Sequence, residues 1–327
     1  MASTTEPAPA VRDRHGDLPG RLRQLSWTTW RGVLVRSGQN FMKDNCADWA
    51  AALTYYGVLA LFPSAIVIVA LVGLVSNGQE TIDTIAGLAR DVGAGSVVAN
   101  EGVLNVLRDV VDNQGSAKVL LSFGLVAALW SASGYVGAFT RASNAIYGVA
   151  EGRPFYLLRP LQLGLTAIAL VLLAVVATGL IVSGPVTDAV GNALSIGDAP
   201  RTAWSIAKWP VLVAIMMLLL SLLFWIAPNV RQPRFRWLTV GGAVTLASWA
   251  VVSAAFGFYV ARFGLDSYNV TYGSLGAAIA ALIWLYLSNC AVMLGVEINS
   301  EVQRGRALQG GAEPPVEPAL PPKRPAD

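Results

Sequence analysis

The residues of this chain that could do chemistry are few and mostly neutral. Tyr286, Asn289, Met293 and Glu297 recur at steps of three and four, which on a helix is one face. That face offers a phenol, an amide and, at a membrane boundary within reach of water, a carboxyl. It reads as a polar stripe opening to the cytoplasm, or as interhelical glue made by Asn289. Thr54, Tyr55 and Tyr56 precede Pro63. Proline removes a backbone donor and its ring meets the carbonyl four residues back, here that of Leu59, so a kink is expected. The kink is either a hinge in a broken helix lining a site or a static bend. Tyr55, Tyr56, Pro63, Tyr286, Asn289 and Glu297 are therefore the candidate substrate path. Asp48, Arg141, Asn144 and Arg153, with Arg159 nearby, sit at the ends of apolar segments. They are candidate contacts for a phosphate headgroup, with Asp48 and Arg141 able to pair with each other.

Other chemistries lack their residues. The single histidine, His15, lies in a polar N-terminal stretch, which argues against a His triad or a histidine zinc site. Cys46 and Cys290 form no CxxC or metal spacing, and Cys290 in an apolar helix reads as a small hydrophobe. No Gly-Lys-Ser/Thr phosphate loop occurs. No catalytic residue, metal or cofactor is expected. The net charge of +3 reads as a topology signal, and no nucleic-acid partner is invoked.

The elements that must position these groups follow from where charge is missing. The chain has 327 residues, 54% apolar and only 13% charged. Six windows carry no charge: Trp49–Gln79, Val119–Thr140, Pro160–Thr187, Trp209–Val230, Trp237–Ala261 and Ser267–Val296. Each exceeds the ~20 apolar helical residues that cross a ~30 Å hydrocarbon slab. The expected fold is all-α: a polytopic membrane protein of six transmembrane helices. The spans fall at about 50–75, 119–139, 161–183, 209–227, 238–261 and 273–296. Before them, Leu22 to Phe41 interleaves Trp27, Trp30, Leu34 and Phe41 with Arg21, Arg23, Arg31 and Arg36, the pattern of an amphipathic interfacial helix. Residues 1–20 read as a disordered tail with no signal peptide. The connector 76–118 reads as two short amphipathic helices broken at Gly93-Ala-Gly95. Residues 305–327, with six prolines from Pro314 to Pro325, read as a disordered cytoplasmic tail.

Lys and Arg near the span ends set the orientation. Arg31, Arg36, Lys43, Arg141, Arg153, Arg159, Arg231, Arg234, Arg236, Arg304 and Arg306 fall on one side; Arg90, Arg108, Lys118, Arg201, Lys208 and Arg262 fall on the other, among nine acidic residues. The richer side is cytoplasmic, so both termini are expected inside and the 76–118 connector outside. No ionisable group lies near the centre of a span, which argues against ion-coupled carriage of a charged solute.

Four ordered blocks carry a resemblance. Asp48-Trp-Ala-Ala-Ala-Leu-Thr-Tyr-Tyr56 with Leu-Phe-Pro63, Trp130-Ser-Ala-Ser-Gly134 with Asn144-Ala-Ile-Tyr147, Ala227-Pro-Asn-Val230, and Tyr272-Gly-Ser-Leu-Gly276 through Trp284-Leu-Tyr286 to Leu294-Gly-Val-Glu-Ile-Asn299 resemble the YihY/BrkB family of bacterial inner-membrane proteins. The resemblance covers roughly 27–304, with Val296 where the family often has Ala. It implies a six-helix fold in the bacterial cytoplasmic membrane. Family names carry a virulence or serum-resistance label and an older ribonuclease label, and some members have been linked to envelope lipid traffic. The ribonuclease label fits poorly, because phosphodiester hydrolysis by metal needs clustered His, Asp or Glu ligands.

The expectation is a non-enzymatic protein moving a lipid or other amphiphile, with membrane lipids as partners. The alternative is a scaffold for envelope assembly, docking a protein or a second copy through 76–118; an enzyme comes third. A lipid-open groove between the first, second and sixth spans, lined by Tyr55, Tyr56 and Asn289, would favour transport. Solid packing there would favour the scaffold.

Overall fold

A computed structural model describes residues 24–73, 116–181, 199–232, 235, 237–263, 276–314, 316 and 318–326. The expected tail 1–20 and nearly all of the 76–118 connector lie outside the described residues. The described residues form seven helices: α1 (Trp27–Lys43), α2 (Cys46–Gly73), α3 (Ser116–Tyr147), α4 (Phe155–Ile181), α5 (Ala199–Ile226), α6 (Val240–Phe263) and α7 (Gly276–Gln309). Among the described residues the only β pairing is an isolated bridge between Val230 and Pro322. Among the described residues four helical stretches are long and apolar enough to cross a membrane: Phe155–Ala177, Ile206–Ile226, Val240–Arg262 and Ala278–Gln309.

Local chemistry sets the helix ends. Ser26 caps α1, its Oγ accepting from Thr29 N at 3.1 Å, which satisfies an otherwise orphan donor. Asn45 has φ 52° between α1 and α2, a left-handed elbow that asparagine tolerates better than most residues. Gly148, at φ 67°, closes α3 in the usual left-handed helix stop. The helix continues through position 63, so α2 is not broken there; the Pro63 side chain lies outside the described side chains.

α2, α4 and α6 begin at the end of the bundle where α3, α5 and α7 finish, and the buried core collects there. Cys46, Leu53, Phe139, Ile146, Phe224, Val230, Met293 and Val296 form one cluster, with the Phe139 and Phe224 rings stacked at 5.8 Å. α1 folds back along α7 through Val33, Ile298 and Val302. The ends of this clasp are polar: Thr29 Oγ1 donates to Gln309 Oε1 at 2.9 Å, and Gln309 Nε2 donates to the Gln24 carbonyl at 2.7 Å. At its middle Glu301, fully buried, accepts from Arg36 Nε at 2.6 Å, from Asn40 Nδ2 at 2.9 Å and from Arg304 Nη1.

The C-terminal segment departs from the sequence reading. α7 runs on to Gln309, and residues 318–326 lie folded against the turn after α5: Arg231 N donates to the Pro321 carbonyl at 2.8 Å and Lys323 N to the Asn229 carbonyl at 2.9 Å. Prolines exclude a helix, as expected, but their carbonyls still accept hydrogen bonds, as that of Pro321 does. Disorder over 305–327 is thus corrected to an ordered strap over 318–326.

Candidate functional site: a basic, aromatic lateral face

The polar candidates separate into three groups. The first is a knot between α2, α3 and α7. Asn289, 3% exposed, donates from Nδ2 to Thr54 Oγ1 at 3.0 Å and accepts at Oδ1 from Tyr135 OH at 2.8 Å. Thr54 passes its own proton to the Ala50 carbonyl at 2.8 Å. Among the described residues Asn289 thus spends its amide on α2 and α3, tying the three helices together. Tyr286, half-buried one turn earlier, lies beside Cys290 on its own helix. Glu297 does not reach water: it is 1% exposed, covered by α1, with Asn40 and Asp44 beside it. Replacing Asn289 with leucine is expected to cost about 1–2 kcal/mol of stability, the upper range for an interhelical hydrogen bond in lipid. Reversible unfolding in detergent would measure it.

The second group is a staple at the turn after α5. Asn144 Oδ1 accepts from Asn229 N at 2.7 Å and its Nδ2 donates to Glu151 Oε2 at 2.9 Å. Arg153 grips Glu151 with Nε at 2.7 Å and Nη2 at 2.8 Å, and Nη2 also donates to the Ala227 carbonyl at 2.7 Å. Burial alone would raise the Glu151 carboxyl, but hydrogen bonds from Arg153, its charge, and Asn144 hold it below the usual carboxylate range. Asn144 and Arg153 are therefore occupied in joining the α3–α4 loop to the end of α5, and neither is free to meet a headgroup. The same contacts explain why Asn229 is fully buried in the Ala227–Val230 turn.

The third group faces outward. Arg141 lies over the Tyr56 ring, 5.6 Å from its centroid, and Arg159 lies over Trp130 at 4.9 Å and Phe155 at 5.6 Å. Asp48 is exposed at the start of α2, where a helix N-terminus favours an acid; it does not pair with Arg141. Among the described residues neither Arg141 nor Arg159 forms a salt bridge. Two glycines of α3 make room. A Cβ on Gly134 would press on Tyr56 Cδ1 at 3.2 Å. One on Gly137 would touch Gln162 Nε2 at 3.5 Å and Arg141 Nη1 at 3.7 Å. Gln162 and Arg141 thus converge over Gly137, and Gln162 Oε1 accepts a long bond from Arg159 Nη1 at 3.5 Å. Tyr55, Trp130 and Phe155 are 62%, 51% and 66% exposed, so the cradle opens sideways between aromatic rings. Arg141 lies six residues inside the end of α3 and Arg159 four inside the start of α4, or about 9 and 6 Å along the helices.

Sequence reading identified Arg141 and Tyr56 but placed Arg159 only in the neighbourhood and missed Gln162 altogether. The Gly134 to Gly137 step was the available signal, since two glycines one turn apart leave a bare strip that a neighbour must fill.

This arrangement sits inside a recognisable sequence block. The chain matches the family described as "Virulence factor BrkB" over residues 37–319. It belongs to that family. Similar proteins include the "Putative ribonuclease-like protein YfkH" of Bacillus subtilis (strain 168), 32% identical over 260 residues, covering 79% of this chain and 90% of that one. A "UPF0761 membrane protein" of Alkalilimnicola ehrlichii is 26% identical over 317 residues, covering 94% and 67%. "UPF0761 membrane protein RC1_0578" of Rhodospirillum centenum is 27% identical over 300 residues, covering 90% and 62%, so the chain spans under two thirds of that relative. No solved structure matches. The chain is a membrane protein of the BrkB and UPF0761 type.

Proposed function

We propose that this protein binds an anionic amphiphile at the lateral face between α2, α3 and α4 and carries its headgroup between leaflets while the tails stay in lipid. The observation that carries the reading is the pair Arg141 and Arg159: two guanidiniums that pair with no carboxylate among the described residues, gathered over Gln162 and flanked by exposed aromatic rings. Uncompensated charges at this depth of a helix call for an anion, and arginine fits phosphate oxygens in a forked geometry. α2 to α7 are taken as six spans in a bacterial inner membrane with both termini cytoplasmic, which puts the cradle at the inner headgroup layer. α1 then lies along that interface, with Trp27, Leu34, Val35 and Met42 turned outward. No enzymatic role, cofactor or nucleic-acid partner is proposed. The "ribonuclease-like" wording belongs to the Bacillus relative; among the described residues no three His, Cys, Asp or Glu side chains gather to hold a metal.

A second reading has its own observation. α2, α3 and α7 are tied together through Asn289, which favours a rigid scaffold that holds a lipid without moving it, for a partner or a second copy. Leaflet exchange of labelled phosphatidylglycerol and phosphatidylcholine in vesicles with purified protein separates the two. Exchange of the anionic lipid above empty vesicles is expected. The Arg141→Ala, Arg159→Ala double variant is expected to lose roughly 30-fold in affinity, at about 1 kcal/mol per basic residue. Tight binding with no exchange of any lipid class leaves the scaffold.

A further inference from the structure

The strap over 318–326 is held by groups that recognise a backbone. Asn229 reads it in both directions: Nδ2 donates to the Arg324 carbonyl at 2.7 Å and Oδ1 accepts from Arg324 N at 3.2 Å. The Lys323 ammonium sits in a socket of carbonyls, those of Trp225, Ile226 and Pro228 at 3.2, 3.3 and 3.1 Å, and lies over the Trp225 ring. These include the orphan acceptors at the end of α5, where a cation is favoured. On the opposite wall Gly152 is bare: a Cβ there would overlap the Pro325 carbonyl. Ala319 and Leu320 anchor the start of the strap on the core. From Pro321 on it lies near the surface, with Pro321 and residues 323–326 exposed. The family match ends at residue 319, so residues 320–326 of the strap lie outside the matched block while the residues that hold them lie within it.

We propose that the channel between the Ala150–Arg153 loop and the Ala227–Arg231 turn is a peptide-binding groove for an extended, proline-flanked segment bearing a lysine, filled here reversibly by the chain's own residues 318–326. Backbone recognition, a lysine socket and a glycine floor define what fits. The prolines lower the ordering cost because the free segment is already extended. Reversibility follows from the thin contact and from charge. Lys323 and Arg324 dock beside Arg153, with Glu151 the acid facing them. Although the residue keeps an exposed side, desolvation of its ammonium among the carbonyls first, and then Arg153, push Lys323 down to about 8, with Glu151 opposing. A free lysine titrates near 10.5, so the docked strap binds fewer protons between those values. Docking therefore strengthens as pH rises through that window and carries its full penalty below about 8.

The test uses a labelled synthetic peptide of residues 316–326 and two chains in detergent: the full chain and one ending at Glu313. Saturable one-to-one binding to the shortened chain is expected, at least tenfold tighter than to the full chain, and lost on Asn229→Ala. Independently, a nitroxide on Ala326→Cys in the full chain is expected to be immobilised, freed by Gly152→Val, and more immobile at pH 9.5 than at 6.5 unless Lys323→Met is present. Equal peptide binding by both chains, no binding by a folded shortened chain, or a nitroxide equally mobile with Gly152 and with Gly152→Val overturns the groove. If the shortened chain does not fold, the nitroxide result decides alone. Dipolar coupling showing the strap seated on a second copy overturns the assignment to the same chain.

Discussion

Glu301→Ala is expected to lower stability by about 3–5 kcal/mol, the range for removing one partner of a buried ion pair. The carboxylate is fully buried and both its oxygens are used, one by Arg36 and the other by Asn40 and Arg304. Without it Arg36 and Arg304 lose the carboxylate that lies between them. Arg36 keeps about a third of its side chain in contact with solvent and rehydrates in part, so the lower end of the range is the better figure. The loss is local first: α1 should come away from α7 and become open to proteolysis before the bundle unfolds. Thermal unfolding in detergent with a protease time course would show both. Charge is the cause only if it can be removed in pairs. Glu301→Leu with Arg36→Met should recover much of the loss, since apolar replacements of a buried pair are often neutral or better.

Gly295→Val is expected to be similarly severe, about 3 kcal/mol or more, because no rotamer relieves it. A Cβ at Gly295 would overlap Thr245 Oγ1 and lie 2.6 Å from the Gly241 carbonyl oxygen, while one at Gly241 would overlap the Gly295 carbonyl. Two backbones meet at one point, so the whole of α6 must shift. Overpacking ordinarily costs 1–3 kcal/mol; here there is little else to hold α6, which is the least covered of the four apolar spans and packs chiefly on α7. Gly241 N also donates to Asn299 Oδ1 at 2.9 Å, and that bond would be drawn apart. Cross-linking between α6 and α7 should fall in parallel with the melting temperature.

Much of the fold was legible because charge-free runs and helices coincide. The described helices α2 to α7 fall on the six windows, and α1 falls on the Arg and Trp stretch. The windows misjudge where helices end. α3 runs on past Arg141 to Tyr147, and α7 past Glu297, Glu301, Arg304 and Arg306 to Gln309. Charge marks the edge of hydrocarbon, whereas a helix continues as long as its charges find partners, as Glu301 does in α1. The site was legible only by residue type. Arg141, Asn144 and Arg153 look alike in sequence, each polar and near a span end. Only contacts between distant segments divide them, sending Asn144 to Asn229 and Arg153 to Glu151 and Ala227. Arg159 and Gln162 joined Arg141 for the same reason: the pairing of α3 with α4 is tertiary, and periodicity within one helix carries no trace of it.

The clasp between α1 and α7 bears on how the molecule is made. Arg36 and its carboxylate are 265 residues apart, so α1 is synthesised long before the group that neutralises it leaves the ribosome. During synthesis Arg36 must be satisfied by water or lipid phosphate, and α1 must wait unseated at the surface. The last turns of α7 are thus the ones that fasten α1.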